Sequence, residues 1–155
     1  MPTADSGRSD ELQITAVIDT LPAGFDTLRA EALADGHGFV ERLVADWISG
    51  ENRFDRDGEA LLAAFVKEEL AGIGGLTLDP VVAGALRMRR FYVRPAFRRG
   101  GIGRGLASEL PGRTLRRGGA ITVNAAPGSV PFWESPGFRP DARDGHTHIL
   151  NANSP

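Results

Sequence analysis

The segment Arg98-Arg99-Gly100-Gly101-Ile102-Gly103-Arg104-Gly105 constrains this chain more than any other stretch. Residues 85–93 before it read as a strand that stops at Arg94-Pro95, and residues 102–110 after it read as a helix opening directly from the glycines. Glycines in such a turn let the backbone come close to a ligand. The first turn of the helix has N–H groups without internal partners, and those donors together with the positive end of the helix dipole favour phosphate. Arginines beside the turn add charge-assisted contacts. The Gly101, Gly103, Gly105 spacing is not the G-x-G-x-x-G of a dinucleotide site, and the flanking order is not a repeated strand–helix–strand. No lysine followed by serine or threonine ends the glycines, so this is no Walker A loop. The bland alternative is a tight turn that holds no ligand.

The rest of the chain fits around that turn. Residues 1–10 are polar and read as a disordered tail, and residues 11–155 as a single domain. Leu12, Ile14, Ala16 and Ile18 alternate as in a strand. Helical spacing follows over 22–35 and again through Phe39, Val40, Leu43, Val44 and Trp47. Residues 60–67, 71–78 and 85–93 read as three strands, then the helix at 102–110, which Pro111-Gly112 should kink or end. A strand at 120–125, a short helix at 129–135 and strands at 138–139 and 147–150 complete the order. With 41 % apolar residues the chain can build a core, and none of its apolar runs reaches bilayer length. It has no cysteine, which removes disulfides, thiolate nucleophiles and cysteine-held metals. The expected location is cytoplasmic, without a membrane partner. The net charge is -2, yet ten of the eighteen basic residues lie between Arg87 and Arg117, with Glu109 as the lone acid there. A basic patch on an acidic protein suits one polyanionic ligand rather than a nucleic acid.

The stretch from Tyr92 to Gly103 resembles the acetyl-CoA signature of the GNAT superfamily of acetyltransferases, whose central element is Arg or Gln, two residues, Gly, one residue, then Gly or Ala. Arg98, Gly101 and Gly103 fill it. Residues 124–138, with Phe132-Trp133 and then Gly137-Phe138, are similar to the segment that follows in that family, which usually ends in Phe-Tyr, three residues, Gly-Phe. The resemblance implies an α/β fold, with a mixed, twisted, mostly antiparallel sheet of about seven strands flanked by four helices. It implies an acetyl-CoA-dependent N-acetyltransferase in which a primary amine of a small molecule or peptide attacks the thioester directly. The coenzyme A pyrophosphate would lie on the backbone of Arg99, Gly100, Gly101, Ile102, Gly103 and Arg104, beside Arg98. The pantetheine would pair with Phe91, Tyr92 and Val93, and the Asn124 amide would reach it. A non-catalytic coenzyme A-binding sensor or interaction module is the alternative function. The acceptor and the oligomeric state, with a homodimer allowed for, stay open.

Two positions depart from the family. Trp133 stands where many members place a tyrosine thought to protonate the leaving thiolate, and an indole is no acid at ordinary pH. Ser129 and Ser135 are poor replacements. Arg87 stands where several members carry a glutamate base. Strand alternation puts Arg87 and Arg89 on one face, where they would either favour an anionic acceptor or pair with Glu41, Asp46 or Glu59. The catalytic group is therefore unassigned, with Asn124, Trp133 and His37 as weak candidates and His146 and His148 behind them. The three histidines show no metal-ligand spacing backed by carboxylates, and no metal is expected.

Overall fold

The computed structural model describes residues 12–114, 120–125, 129–134, 137–143 and 145–151. The elements are β1 (Leu12–Ala16), α1 (Phe25–Ala34), α2 (Phe39–Ser49), β2 (Ala60–Val66), β3 (Glu69–Leu78), β4 (Leu86–Val93), a single 3-10 turn (Pro95–Phe97), α3 (Ile102–Thr114), β5 (Ala120–Val123), α4 (Val130–Glu134), β6 (Arg139–Arg143) and β7 (His146–Asn151). The seven strands form one sheet in the order β1-β2-β3-β4-β5-β7-β6. All neighbours are antiparallel except β4 and β5. The mixed α/β sheet with four helices read from the sequence is thus the observed fold. The tail at 1–10 lies outside the described residues. Among those residues no helix is long and apolar enough to cross a membrane.

The helices divide between the two faces of the sheet. Ile102, Leu106 and Leu110 of α3 and Trp133 of α4 pack on one face, over Leu62, Met88 and Val123. Leu28 of α1 and Leu43, Val44 and Trp47 of α2 pack on the other, over Leu61, Ile73 and Tyr92. Side chains that alternate along β4 therefore report which helix layer they face.

Several boundaries differ from the sequence reading, and three bear on the fold. The strand expected at 71–78 begins at Glu69, because Lys67 (φ 50) and Glu68 (φ 71) form a two-residue hairpin turn without glycine. The helix expected to falter at Pro111 runs to Thr114. Proline removes one backbone bond, but packing of the apolar stripe on the sheet outweighs that loss. The penultimate strand expected at 138–139 is the longer Arg139–Arg143.

Candidate active site

β4 is eight residues long but pairs with β5 only at Leu86–Ile121 and Arg87–Thr122. From Met88 onward its β5-side edge has no strand partner among the described residues, so the two strands part there and leave an opening. The Arg94 N–H bonds back to Ala71 O on β3 at 2.8 Å. Backbone groups alternate sides along a strand, so those of Tyr92 also face β3 while those of Phe91 and Val93 face the opening. The Val93 carbonyl accepts from Arg98 Nε at 2.9 Å, which leaves its N–H to the opening. The expectation that Phe91, Tyr92 and Val93 all offer backbone groups there is thus narrowed to Phe91 and Val93.

Past β4 the chain turns through Arg99 (φ 70) and Gly101 (φ 81) into α3. Consecutive N–H groups in such alternating conformations form an anion-binding concavity. The N–H groups of Arg99 to Arg104 have no backbone partner among the described residues, and that of Gly105 is the first to bond, to Gly101 O at 2.9 Å. The glycines do different jobs. Gly101 supplies the left-handed turn, with open space around it. A Cβ on Gly103 would stand 3.2 Å from the Phe132 ring, and one on Gly105 3.3 Å from Ile14. Those two let α3 pack closely. Arg98, the first residue of the sequence motif, is a brace: Nη2 donates to Asp35 at 2.7 Å and the guanidinium lies over the Tyr92 ring. Arg99 and Arg104 are exposed at the turn.

On the α3/α4 side the opening is walled by aromatic rings. Trp133 meets Phe91, Phe132 and Phe138 edge-on at 5.0, 4.9 and 5.5 Å between centroids. It is buried there as packing. His146 and His148 are buried on the same side of the molecule; His146 Nε2 lies 2.9 Å from Asp141 and His148 Nε2 3.0 Å from Glu134. These are carboxylate pairs that the sequence reading did not foresee, yet no group of three metal donors exists among the described residues. Ser129 precedes α4, and Ser135 lies outside the described residues. Asn124 is exposed just beyond β5.

The α1/α2 side is polar. Tyr92, the only tyrosine in the chain, donates its hydroxyl to Asp35 at 2.8 Å. Burial, with the Asp35 hydrogen bond and charge behind it, pushes its pKa up to about 12. No phenol is therefore ready to give a proton to a thiolate. The exposed His37 ring rests against Phe39 and Tyr92 at 5.4 and 5.7 Å. Arg87 pairs with none of the three acids expected for it. Nη2 lies 3.4 Å from Asp79, Nε donates to Thr122, and Gly145 closes over the guanidinium. Glu41 is taken by Arg29, Asp46 by Arg90, and Glu59 by the Leu78 and Arg56 amides. Arg89 faces the same way and has no ion-pair partner among the described residues.

Asp35 and Asp79 were missed as site-shaping residues. In sequence an Asp-Pro pair such as Asp79-Pro80 marks only a turn, although an aspartate in that place can also cap the amides two and three residues on, as it does at Val81 and Val82. Asp35 gave no local signal, because its partners are fifty-seven and sixty-three residues away.

The model of the acetyltransferase (GNAT) domain matches residues 25–149. No match to the chain is found among curated proteins. Among solved structures, an assigned acetyltransferase of Exiguobacterium sp. 255-15 superposes with a TM-score of 0.79 at 25 % identity, over 91 % of this chain and 93 % of that one. The PaiA N-acetyltransferase of Thermoplasma acidophilum, in complex with coenzyme A, gives 0.60 at 17 % identity over 90 % and 97 %. A GNAT family acetyltransferase of Elizabethkingia anophelis with acetyl-CoA bound gives 0.55 at 15 % identity over 92 % and 95 %. With most of its length matched by the domain model, and with the opened sheet and glycine turn in place, this chain belongs to the GNAT family of acetyltransferases.

Proposed function

We propose that the protein transfers an acetyl group from acetyl-CoA to a primary amine of a small molecule or peptide. The observation that carries this reading is the row of N–H groups from Arg99 to Arg104 without a backbone partner among the described residues, at the end of a strand edge that β5 leaves unpaired. The row suits a pyrophosphate, with Arg99 and Arg104 adding charge. Phe91, Val93 and Asn124 then offer backbone and amide groups along the opening. When bound, acetyl-CoA supplies the thioester that the amine attacks. The aromatic wall around Trp133 excludes water on one face, so the amine enters from the α1/α2 face. The Val93 N–H is placed to stabilise developing negative charge. Of the histidines, only His37 lies on the face where the amine enters, and it is assigned the proton-accepting role. Trp133 shields rather than protonates. Leaving-thiolate protonation is not demanding, since a thiol pKa is about 8.5.

Calorimetry with coenzyme A tests the cradle. Gly101→Val forces a β-branched residue into a left-handed turn and should weaken binding at least tenfold with the fold intact. Gly103→Val is a poorer probe because it strikes Phe132. Unchanged affinity in Gly101→Val overturns the cradle. Coenzyme A binding without thiol release across an amine panel would instead point to a sensor.

A further inference from the structure

Four guanidinium groups share the sheet face that α2 covers. Arg87, Arg89 and Arg90 come from β4, and Arg42 lies one turn before Asp46 on α2. Arg87 and Arg89 share this face by strand alternation, and Arg90 joins them through a bulge in β4. Arg89 pairs with Gly75 and Tyr92 with Ile73, so Arg90 and Phe91 together oppose Gly74. Arg90 takes φ 62, a conformation that costs a non-glycine residue about 1 kcal/mol. The bulge keeps Arg90 on the α2 side, where Nη2 stands 3.8 Å from Asp46, while Phe91 returns to the aromatic wall.

The acids here are too few. Asp46 serves Arg90. The Asp79 side chain is fully buried and already accepts from Thr122 and the Val81 and Val82 amides as well as Arg87. Arg89 and Arg42 have no carboxylate partner among the described residues. Arg90 Nε is buried without a hydrogen bond, and so is the hydroxyl of Thr77, the β3 residue paired with Arg87. Burial and repulsion from Arg87 hold the Arg89 pKa below its ordinary value. Asp46 and Asp79 offset this only at a distance, and a half-buried cation among like charges without a contacting carboxylate is costly unless an anion joins it. Arg89 also stands two residues past the last β4–β5 pair, so its side chain leaves the strand at the mouth of the opening, on the face opposite Trp133.

We propose that Arg89 and Arg42 form an anion-binding subsite for the acceptor, so that the substrate is an amine that also carries a carboxylate or a phosphate. Arg90 and Arg87 hold the subsite in place through Asp46 and Asp79. The assignment rests on the acetyl-transfer reading above, because that reading puts the amine in the adjoining opening. A polyamine is repelled from this face, whereas a small amino acid or amino phosphate presents its anion to Arg89 and its nitrogen to the opening.

The test titrates succinate and inorganic phosphate into the full-length protein by calorimetry, with the cradle first saturated by coenzyme A. At least one anion should bind, and Arg89→Gln should weaken it about tenfold or more, the loss expected for a hydrogen bond to a charged group. The anion that loses more identifies carboxylate or phosphate as the recognised group. Arg42→Gln, an exposed change, should weaken the same anion and keeps the test open if Arg89→Gln does not fold. With turnover, the kcat/KM ratio of glycine to glycinamide, or of phosphoethanolamine to ethanolamine, should fall by the same factor in Arg89→Gln. The idea is overturned if neither anion binds, or if both variants bind them as the parent does. Gly101→Val separates the two readings: it should lose coenzyme A yet keep the anion.

Discussion

Trp133 and His37 sit on opposite sides of the opening and should respond oppositely to substitution. Three phenylalanine rings hold the Trp133 indole edge-on, and its N–H has no partner among the described residues. Trp133→Phe should therefore keep turnover within a few-fold, while Trp133→Ala should cost about 3–5 kcal/mol in denaturant unfolding. A hundredfold loss of rate in the folded phenylalanine variant would restore the indole to the chemistry. His37 is exposed on the α1/α2 side and buries little. His37→Gln should lower kcat about 10²-fold or more with coenzyme A affinity and melting temperature unchanged; a kcat within threefold of the parent rules it out as the base. At this scale the sequence showed residue chemistry but not direction. The arginines of β4 were visible as one face, and the lack of a tyrosine at 133 was visible as a departure. The partners of Arg87 were not, because the acid that holds it lies in a turn whose path over β5 no local pattern encodes. Arg98 was legible as a motif position, yet its guanidinium turns to Asp35 instead of the cradle.

The order of strands and helices was legible throughout, since alternation and helical spacing mark each element where one face is buried. What escaped was junctions: a hairpin turn at Lys67-Glu68 made without glycine, the bulge at Arg90, and the loop after β3. That loop joins three strands. Asp79 ends β3, accepts from amides of the loop and from Arg87 of β4, and reaches Thr122 of β5. Burial raises its pKa, but Thr122, the Val82 and Val81 amides and Arg87 together outweigh it and leave the value below the ordinary 3.8. A carboxylate with a lowered folded pKa lends stability that is fully present above its unfolded pKa. That stability is lost as pH falls through the folded value. Asp79→Asn should thus unfold about 3 kcal/mol more easily at pH 7, the cost of leaving Arg87 buried without its ion. The gap to the parent should narrow below about pH 4. An unchanged gap from pH 7 to pH 3 would show that Asp79 acts through packing alone.

At the scale of the molecule, the fold and the glycine turn could be read because they rest on short, contiguous signals, whereas the arginine face proposed for the acceptor is assembled from α2, β3, β4 and β5. Its arginines are forty-five to forty-eight residues from Arg42 in the chain, and only the folded sheet brings them together. The narrow join between β4 and β5 has a further consequence. Two residue pairs and the Asp79–Thr122 contact are what the backbone and this loop supply to connect the β5-β7-β6 ribbon to the β1-β2-β3-β4 ribbon. Cooperative opening follows such seams. In amide hydrogen exchange, β5 and β7 should exchange together, through a local opening, faster than β2 and β3. Coenzyme A, spanning both ribbons, should slow β5 and β7 far more than β2. Uniform protection across all strands without ligand would mean that the ribbons do not open separately. If they do, the protein's mechanical weak point and its cofactor slot are the same place: ligand binding stitches together a sheet that the chain itself leaves half unsewn.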